Sequence, residues 1–340
     1  MQEPVAVCHE GLQLMQAEMA RQCGDALASM DSNAALARAA AESARTTGRV
    51  VLYGIGGSHY VNRSVEPLYR ELGLDCRALG ASEALMSPLP DVPRTAMVVS
   101  QSGESGEILD LLARPPGQER RFGITLEGGS TLARRAEAAL VGAGGTEHAF
   151  AATRSIVVTL ALHAAILGAL GMAQDAFRTV LAADAPADTA AVDVALADCD
   201  VVAFAGRHVL QGIAESGALS MMELARVPTI GWEGGQFRHG PFEFLRPGLG
   251  ILLLRSAGVD GPGVAPIASA CVAAGCTVAV FDSSGEAPLP GCLTVTLPRN
   301  AGLAAGLSML LSFQPLNIAV ARRRVAERIG TPVRTSKVTV

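Results

Sequence analysis

The sequence predicts an α/β protein in which one parallel-sheet unit occurs twice along 340 residues. Three observations carry this expectation. Short apolar, β-branched runs alternate with stretches of helical spacing, the order that parallel sheets covered on both faces require. Two of the strand-to-helix turns are rich in glycine and serine, GIGGS at 54–58 and SQSGES at 100–105. The pattern then restarts after residue 200, where 250–258 corresponds to the stretch opening at Thr95 with its hydroxyl loop degraded. The expected organisation is an N-terminal helix over 1–32, a first unit over 33–183 and a second over 184–340.

In order, spacing at Leu12, Met15, Met19 and Ala26 predicts one helix over 8–30. A second follows over 33–46, capped near Ser32 or Asn33. Residues 49–53 form a strand, GIGGS a turn, and a helix runs on to Leu72. The central stretch, TAMVVSQSGESGEILDLL at 95–112, reads as a buried strand, a hydroxyl-rich turn and a helix start. Further strands are expected at 121–125 and 139–142, with a short helix at 132–138 and a long one from Ala152. A polar linking helix is expected between 183 and 200. In the second unit, strands fall at 200–205, 250–254, 277–281 and 293–297, and a long helix at 210–226.

Composition narrows the function. Net charge is −5, aromatics are 4% and no long basic tract occurs, which argues against nucleic acid as a partner. Residues 1–20 carry Glu3, Glu10 and Glu18 and no apolar core, unlike a secretory signal. The apolar runs 155–172 and 303–320 reach membrane-span length. His163 interrupts the first, and Ser308, Ser312, Gln314, Pro315 and Asn317 the second, so helices buried in a core or dimer interface are expected, with no membrane partner. Seven cysteines without a CxxC pair fit a cytoplasmic location and argue against a metal site.

The SQSGES turn is suited to a phosphate, because a helix start aims free N–H groups and positive dipole at the turn and the serines add donors. An N-cap turn that binds nothing is the plain alternative. The GIGGS turn matches the dinucleotide G-x-G-x-x-G only imperfectly and lacks a ribose-binding acid, so a small anion is favoured there over a nucleotide cofactor. Glu223, near the end of an apolar helix, is a candidate general base if desolvated. His239 sits in a Gly- and Pro-framed loop after the only tryptophan, with Arg238 beside it. Lys337 is the sole lysine against 26 arginines, which suggests a task needing an amine rather than a guanidinium.

Taken together, GIGGS, SQSGES, GTE with TR at 145–154, ESGALSMMELA at 215–225, FRHGP at 237–241 and the terminal SKVTV resemble the double sugar-isomerase (SIS) domain family. The likeness to the isomerase half of glutamine–fructose-6-phosphate aminotransferase covers nearly the whole chain. It implies two flavodoxin-like domains, a homodimer with shared sites, a sugar-phosphate substrate and no cofactor. By the same likeness Ser58, Ser100, Gln101, Ser102 and Ser105 hold the phosphate, and Gly57, Thr153 and Arg238 contact the sugar. Glu223 moves protons between C1 and C2, His239 assists ring opening in its own or the partner's site, and Lys337 sits beside the open-chain carbonyl.

Departures from the family pattern are Gly57, where a threonine is usual, and Ala152, where a serine is common. In the aminotransferase the terminal lysine falls one place earlier, at Ser336. Residues 1–30 are too short for a glutaminase domain, so a stand-alone deaminase or isomerase of an aminated hexose 6-phosphate is expected. A deglycase of phosphorylated fructosamines is the alternative enzyme, and a non-catalytic sugar-phosphate sensor the alternative of another class.

Overall fold

The structure, a computed structural model, describes residues 10–333. The first sheet contains β1 (Arg49–Gly54), β2 (Asp75–Gly80), β3 (Arg94–Val99), β4 (Glu119–Thr125) and β5 (Ala138–Val141), ordered β2-β1-β3-β4-β5. The second contains β6 (Val201–Gly206), β7 (Thr229–Glu233), β8 (Leu249–Ser256), β9 (Thr277–Ser283) and β10 (Leu293–Thr296), ordered β10-β9-β8-β6-β7. Every strand pair is parallel. Read from its β7 edge, the second sheet has the same topology as the first, the flavodoxin-like order with its switch point beside the first strand of each unit. The duplicated α/β fold expected from the sequence is therefore present.

The helices are α1 (Glu10–Met19), α2 (Gln22–Ser32), α3 (Ala34–Thr47), α4 (Gly57–Glu71), α5 (Ala81–Met86), α6 (Gly106–Ala113), α7 (Thr131–Arg135), α8 (Arg154–Ala169), α9 (Asp175–Ala183) and α10 (Ala190–Ala195). They continue with α11 (Val209–Ala225), α12 (Gly234–Phe237), α13 (Val264–Ala273) and α14 (Gly302–Val325). The two units meet where α11 packs on both α4 and α14. Gly212 makes the α4 contact possible: a Cβ there would stand 2.2 Å from the Tyr60 carbonyl oxygen and 2.4 Å from Ser64 Oγ. On the other face of α11, Phe313 of α14 packs edge-on against Phe204 at 5.3 Å and Phe281 at 4.6 Å between ring centroids.

Several sequence expectations are corrected. The single helix over 8–30 is two, broken at Ala20–Arg21, and the break lets Arg21 pair with Asp25 at 2.8 Å and reach the Gly144 carbonyl. Asn33 does stand at the N-cap of α3, but its side chain makes no cap bond. Its amide instead grips β5, bonding the Val141 carbonyl at 2.9 Å and N–H at 3.0 Å. The linking helix over 183–200 shrinks to α10, because Pro186 and the Ala/Asp-rich run before it form loop. The half-exposed edge strands β2 and β7 escape prediction, since neither is a continuous apolar run.

Among the described residues α14 alone is long and apolar enough to cross a bilayer, and 89% of its apolar window is buried inside the protein. Pro315 lies inside it without breaking it. The run expected at 155–172 becomes α8, whose His163 is fully buried.

Candidate functional site

Five of the residues expected to hold a phosphate converge on one cavity. Ser58, Ser100, Gln101, Ser102 and Ser105, with Gly57, line a space of about 200 Å³ at the carboxyl ends of β1 and β3. Three helices begin around it. The turn after β1 leads into α4, the turn after β3 leads into α6, and α8 contributes Ser155, Ile156 and Thr159 from its first turns. None of the residues lining the cavity is charged. An anion there would be met by hydroxyls, the Gln101 amide, backbone N–H groups and three positive dipole ends.

The SQSGES loop is preorganised by its own hydroxyls. Ser100 Oγ accepts from the Gly103 N–H at 3.1 Å and lies 3.2 Å from Ser105 Oγ. Ser102 Oγ accepts from the Glu104 N–H at 3.2 Å. Glu104 is directed away from the cavity, accepting from the Thr131 N–H at 2.6 Å and tying the loop to α7. Gly103 has φ +65° and a Cβ there would fall 2.2 Å from Ser130 Oγ, so the turn admits only glycine. Ser105 serves as N-cap of α6 without a side-chain cap bond, so its hydroxyl is not committed to the helix.

Beneath α8 lies a buried polar layer. Glu147, 4% exposed, accepts from the Thr153 and Ser155 N–H groups, both at 3.1 Å, and from both hydroxyls. Thr153 bonds Glu147 and does not line the cavity, where Ser155 takes the lining position. The helical spacing of 152, 155, 156 and 159 carried the signal that would have found Ser155 and Thr159. Arg154, fully buried, pairs with Glu18 and with Asp25 and donates to the carbonyls of Ala143 and Gly145. Its role is to anchor α1 and α2 under the site.

The other expected residues lie elsewhere in the chain. Glu223 is half-buried near the end of α11. Arg238 and His239 are exposed just after α12. None of the three lines the serine cavity within one chain. Lys337 lies outside the described residues, which end at Val333. Arg226, three residues beyond Glu223, donates to the Thr331 carbonyl at 3.0 Å, and Gly330 packs directly on Gly11 of α1.

The second unit carries the same turn with other chemistry. Gly56 caps α4 at φ 55°, ψ −132°; His208, at the same distance past its strand, caps α11 at φ 56°, ψ −129°. Strand register pairs Val50 with Thr95 and Val202 with Gly250. Ser100 therefore corresponds to Arg255, Gln101 to Ser256, Ser102 to Ala257 and Ser105 to Asp260. The Asp260 carboxylate accepts from the Ser256 N–H at 2.9 Å and its hydroxyl at 2.6 Å. A carboxylate of the chain itself thus occupies the donors of the second loop, which is the physical form of its degradation.

Comparison with known proteins supports this duplicated arrangement. The C-terminal domain of glucosamine-fructose-6-phosphate aminotransferase from Francisella tularensis superposes with a TM-score of 0.78 at 18% identity, over 92% of this chain and 96% of that one. The chain has the double SIS-domain fold. Tagatose-6-phosphate ketose/aldose isomerase from Escherichia coli matches at 0.79 and 17% identity over 94% of both chains. Glucosamine-6-phosphate deaminase from Thermotoga maritima matches at 0.66 and 18% identity, over 91% of this chain and 98% of that one. In sequence, glutamine–fructose-6-phosphate aminotransferase of Mycobacterium bovis is 27% identical over 187 residues, 49% of this chain but only 30% of that relative. The match thus spans less than a third of that relative's own length. No protein-family model matches the chain.

Proposed function

We propose that this SIS protein acts on an aminated hexose 6-phosphate, converting a glucosamine 6-phosphate type of substrate to fructose 6-phosphate and ammonia. The observation that carries the proposal is the uncharged cradle of Ser58, Ser100, Gln101, Ser102 and Ser105 under three helix starts. It supports a phosphate monoester held by dipoles and hydroxyls. The relatives' names supply the rest of the substrate class: aminotransferase, deaminase and ketose/aldose isomerase, each of a hexose 6-phosphate.

In the proposed reaction His239, from a partner subunit of a homodimer, assists ring opening. Glu223 takes the proton from C2 of the open-chain sugar, giving an enolamine, and returns it to C1. The resulting C2 imine takes up water and releases ammonia. Lys337 stands by the C1 carbonyl. The Arg226–Thr331 hydrogen bond supports that role, because the six residues from Thr331 to Lys337 reach at most ~20 Å from an anchor beside the end of α11. Arg238 remains a candidate sugar contact from the same loop as His239. The setting is taken to be cytoplasmic.

The test is ammonia release coupled to fructose 6-phosphate detection on purified protein, with glucosamine 6-phosphate, galactosamine 6-phosphate and phosphorylated fructose–amino acid adducts. Glu223→Gln should lower turnover by roughly 10²–10⁴-fold with little change in sugar-phosphate binding. Turnover of the adducts alone would make it a deglycase. Tight binding with no turnover of any of these would refute an enzymatic role in favour of a sensor.

A further inference from the structure

Beneath the serine cradle lies a polar arrangement sealed from solvent. Ser58 of α4 and Ser155 and Thr159 of α8 line the cavity. One helical turn further on, Asn62 follows Ser58 on the same face of α4, and His163 follows Thr159 on the same face of α8. Tyr69 continues the α4 face two turns beyond Asn62. Asn62, His163 and Tyr69 are all fully buried.

The three side chains form a relay. Tyr69 Oη stands 3.2 Å from His163 Nδ1, and His163 Nε2 stands 3.2 Å from Asn62 Oδ1. Burial pushes the His163 pKa down to about 3, so the ring is neutral and carries one N–H. An amide oxygen can only accept, which puts that proton on Nε2 and leaves Nδ1 to accept from the Tyr69 hydroxyl. Donation therefore runs in one direction, from Tyr69 through His163 to Asn62. The last donor, the Asn62 amide nitrogen, has no hydrogen-bond partner among the described residues. A buried donor left unpaired is costly and uncommon, so its placement calls for a reason. A Cβ on Gly54 would stand 2.8 Å from it, so it lies against the last residue of β1, where the GIGGS turn begins.

We infer that Asn62 is a positioning residue of the phosphate site, held by the relay from Tyr69 through His163 so that its amide N–H2 supports the base of the GIGGS turn. Resting on the reading of the serine cavity as a phosphate site, this role is exercised through the turn, since Asn62 does not itself line the cavity. The relay also sets the positive end of an ordered chain of dipoles beneath the bound anion. In a dry interior such dipoles reinforce one another and are little screened. Their contribution matters here because no charged side chain lines the cavity.

The experiment is calorimetric titration of the full chain with inorganic phosphate. It compares the wild type with Asn62→Leu, His163→Leu, His163→Gln and the double variant Asn62→Leu with His163→Leu. Leucine approximates the shape of asparagine without its donor, whereas glutamine at 163 keeps an N–H that can serve Asn62 Oδ1. Asn62→Leu and His163→Leu should each weaken phosphate binding about tenfold. The double variant should be no weaker than either single one, because the two residues act as one unit. His163→Gln should stay within about threefold of the wild type. A role in packing alone would be filled by leucine as well as by glutamine. Should a single leucine variant fail to fold, the double variant carries the test, since it removes both polar partners together. Wild-type affinity in Asn62→Leu or in the double variant, or equal losses in His163→Gln and His163→Leu, would overturn the inference and leave the cradle standing. Absence of phosphate binding to the wild type would instead overturn the phosphate reading of the cradle, and this inference with it.

Discussion

The contact between the two units should be sensitive to one carbon atom. Gly212 lies near the start of α11, where a Cβ would stand 2.2 Å from the Tyr60 carbonyl and 2.5 Å from the Ser64 N–H nitrogen, both backbone atoms of α4. Ordinary contact needs about 3.5 Å, so Gly212→Ala forces the helices apart by roughly 1 Å at their crossing. No side chain can swing away to absorb this. Overpacking of this kind costs ~1–3 kcal/mol, against ~0.5–1 kcal/mol gained because alanine favours a helix over glycine. The expected net loss is on the order of 1 kcal/mol in urea-denaturation stability. Gly24, inside α2, is the control, since nothing lies within 4 Å of a Cβ there. Gly24→Ala should stabilise by ~0.5–1 kcal/mol. Because α11 carries Glu223, Gly212→Ala should also lower turnover of glucosamine 6-phosphate. Equal effects of the two substitutions on stability would refute the account of how α4 and α11 dock.

Three other outcomes are expected. His163, buried between Tyr69 and Asn62, has its pKa pushed down to about 3 by desolvation, so the folded protein takes up no proton there near neutrality while the unfolded chain does below about 6.5. Stability from this residue is complete above pH 6.5 and falls by up to ~1.4 kcal/mol per pH unit as pH drops toward 3; His163→Gln should flatten denaturation midpoints between pH 6.5 and 5, and an unchanged slope would count against it. Arg154→Met leaves Glu18 buried without its partner and should cost ~3–5 kcal/mol, read as a lower melting temperature; a neutral result would mean that the buried pair is not what anchors α1. A Cβ on Gly57 would meet Ile156 Cδ1 at 2.9 Å, so Gly57→Thr should weaken sugar-phosphate binding and Gly57→Thr with Ile156→Val should restore it; identical affinities would show that Ile156 does not fill the place of the family's threonine.

Sequence alone determined the parts of this protein that depend on local chemistry. Buried strands such as β3 and β8 are continuous apolar runs, and the turns after β1 and β3 declare themselves by glycine and serine, because only those residues allow the required backbone and supply short donors. That is why the serine cradle and the duplication were legible before any coordinates. Half-exposed β2 and β7 were not, since their pairing partners, rather than their own patterning, make them strands.

The tertiary structure decided what depends on residues far apart in the chain. It turned Thr153 toward Glu147 and brought Ser155 to the cavity, which neighbouring positions on one helix cannot announce. It placed Asp260 across the second loop, where a carboxylate takes donors that the first loop leaves open, and set His208 against Glu71. Charge acts through space, so the polarity of a cavity is set by which loops close around it and not by any one stretch of sequence.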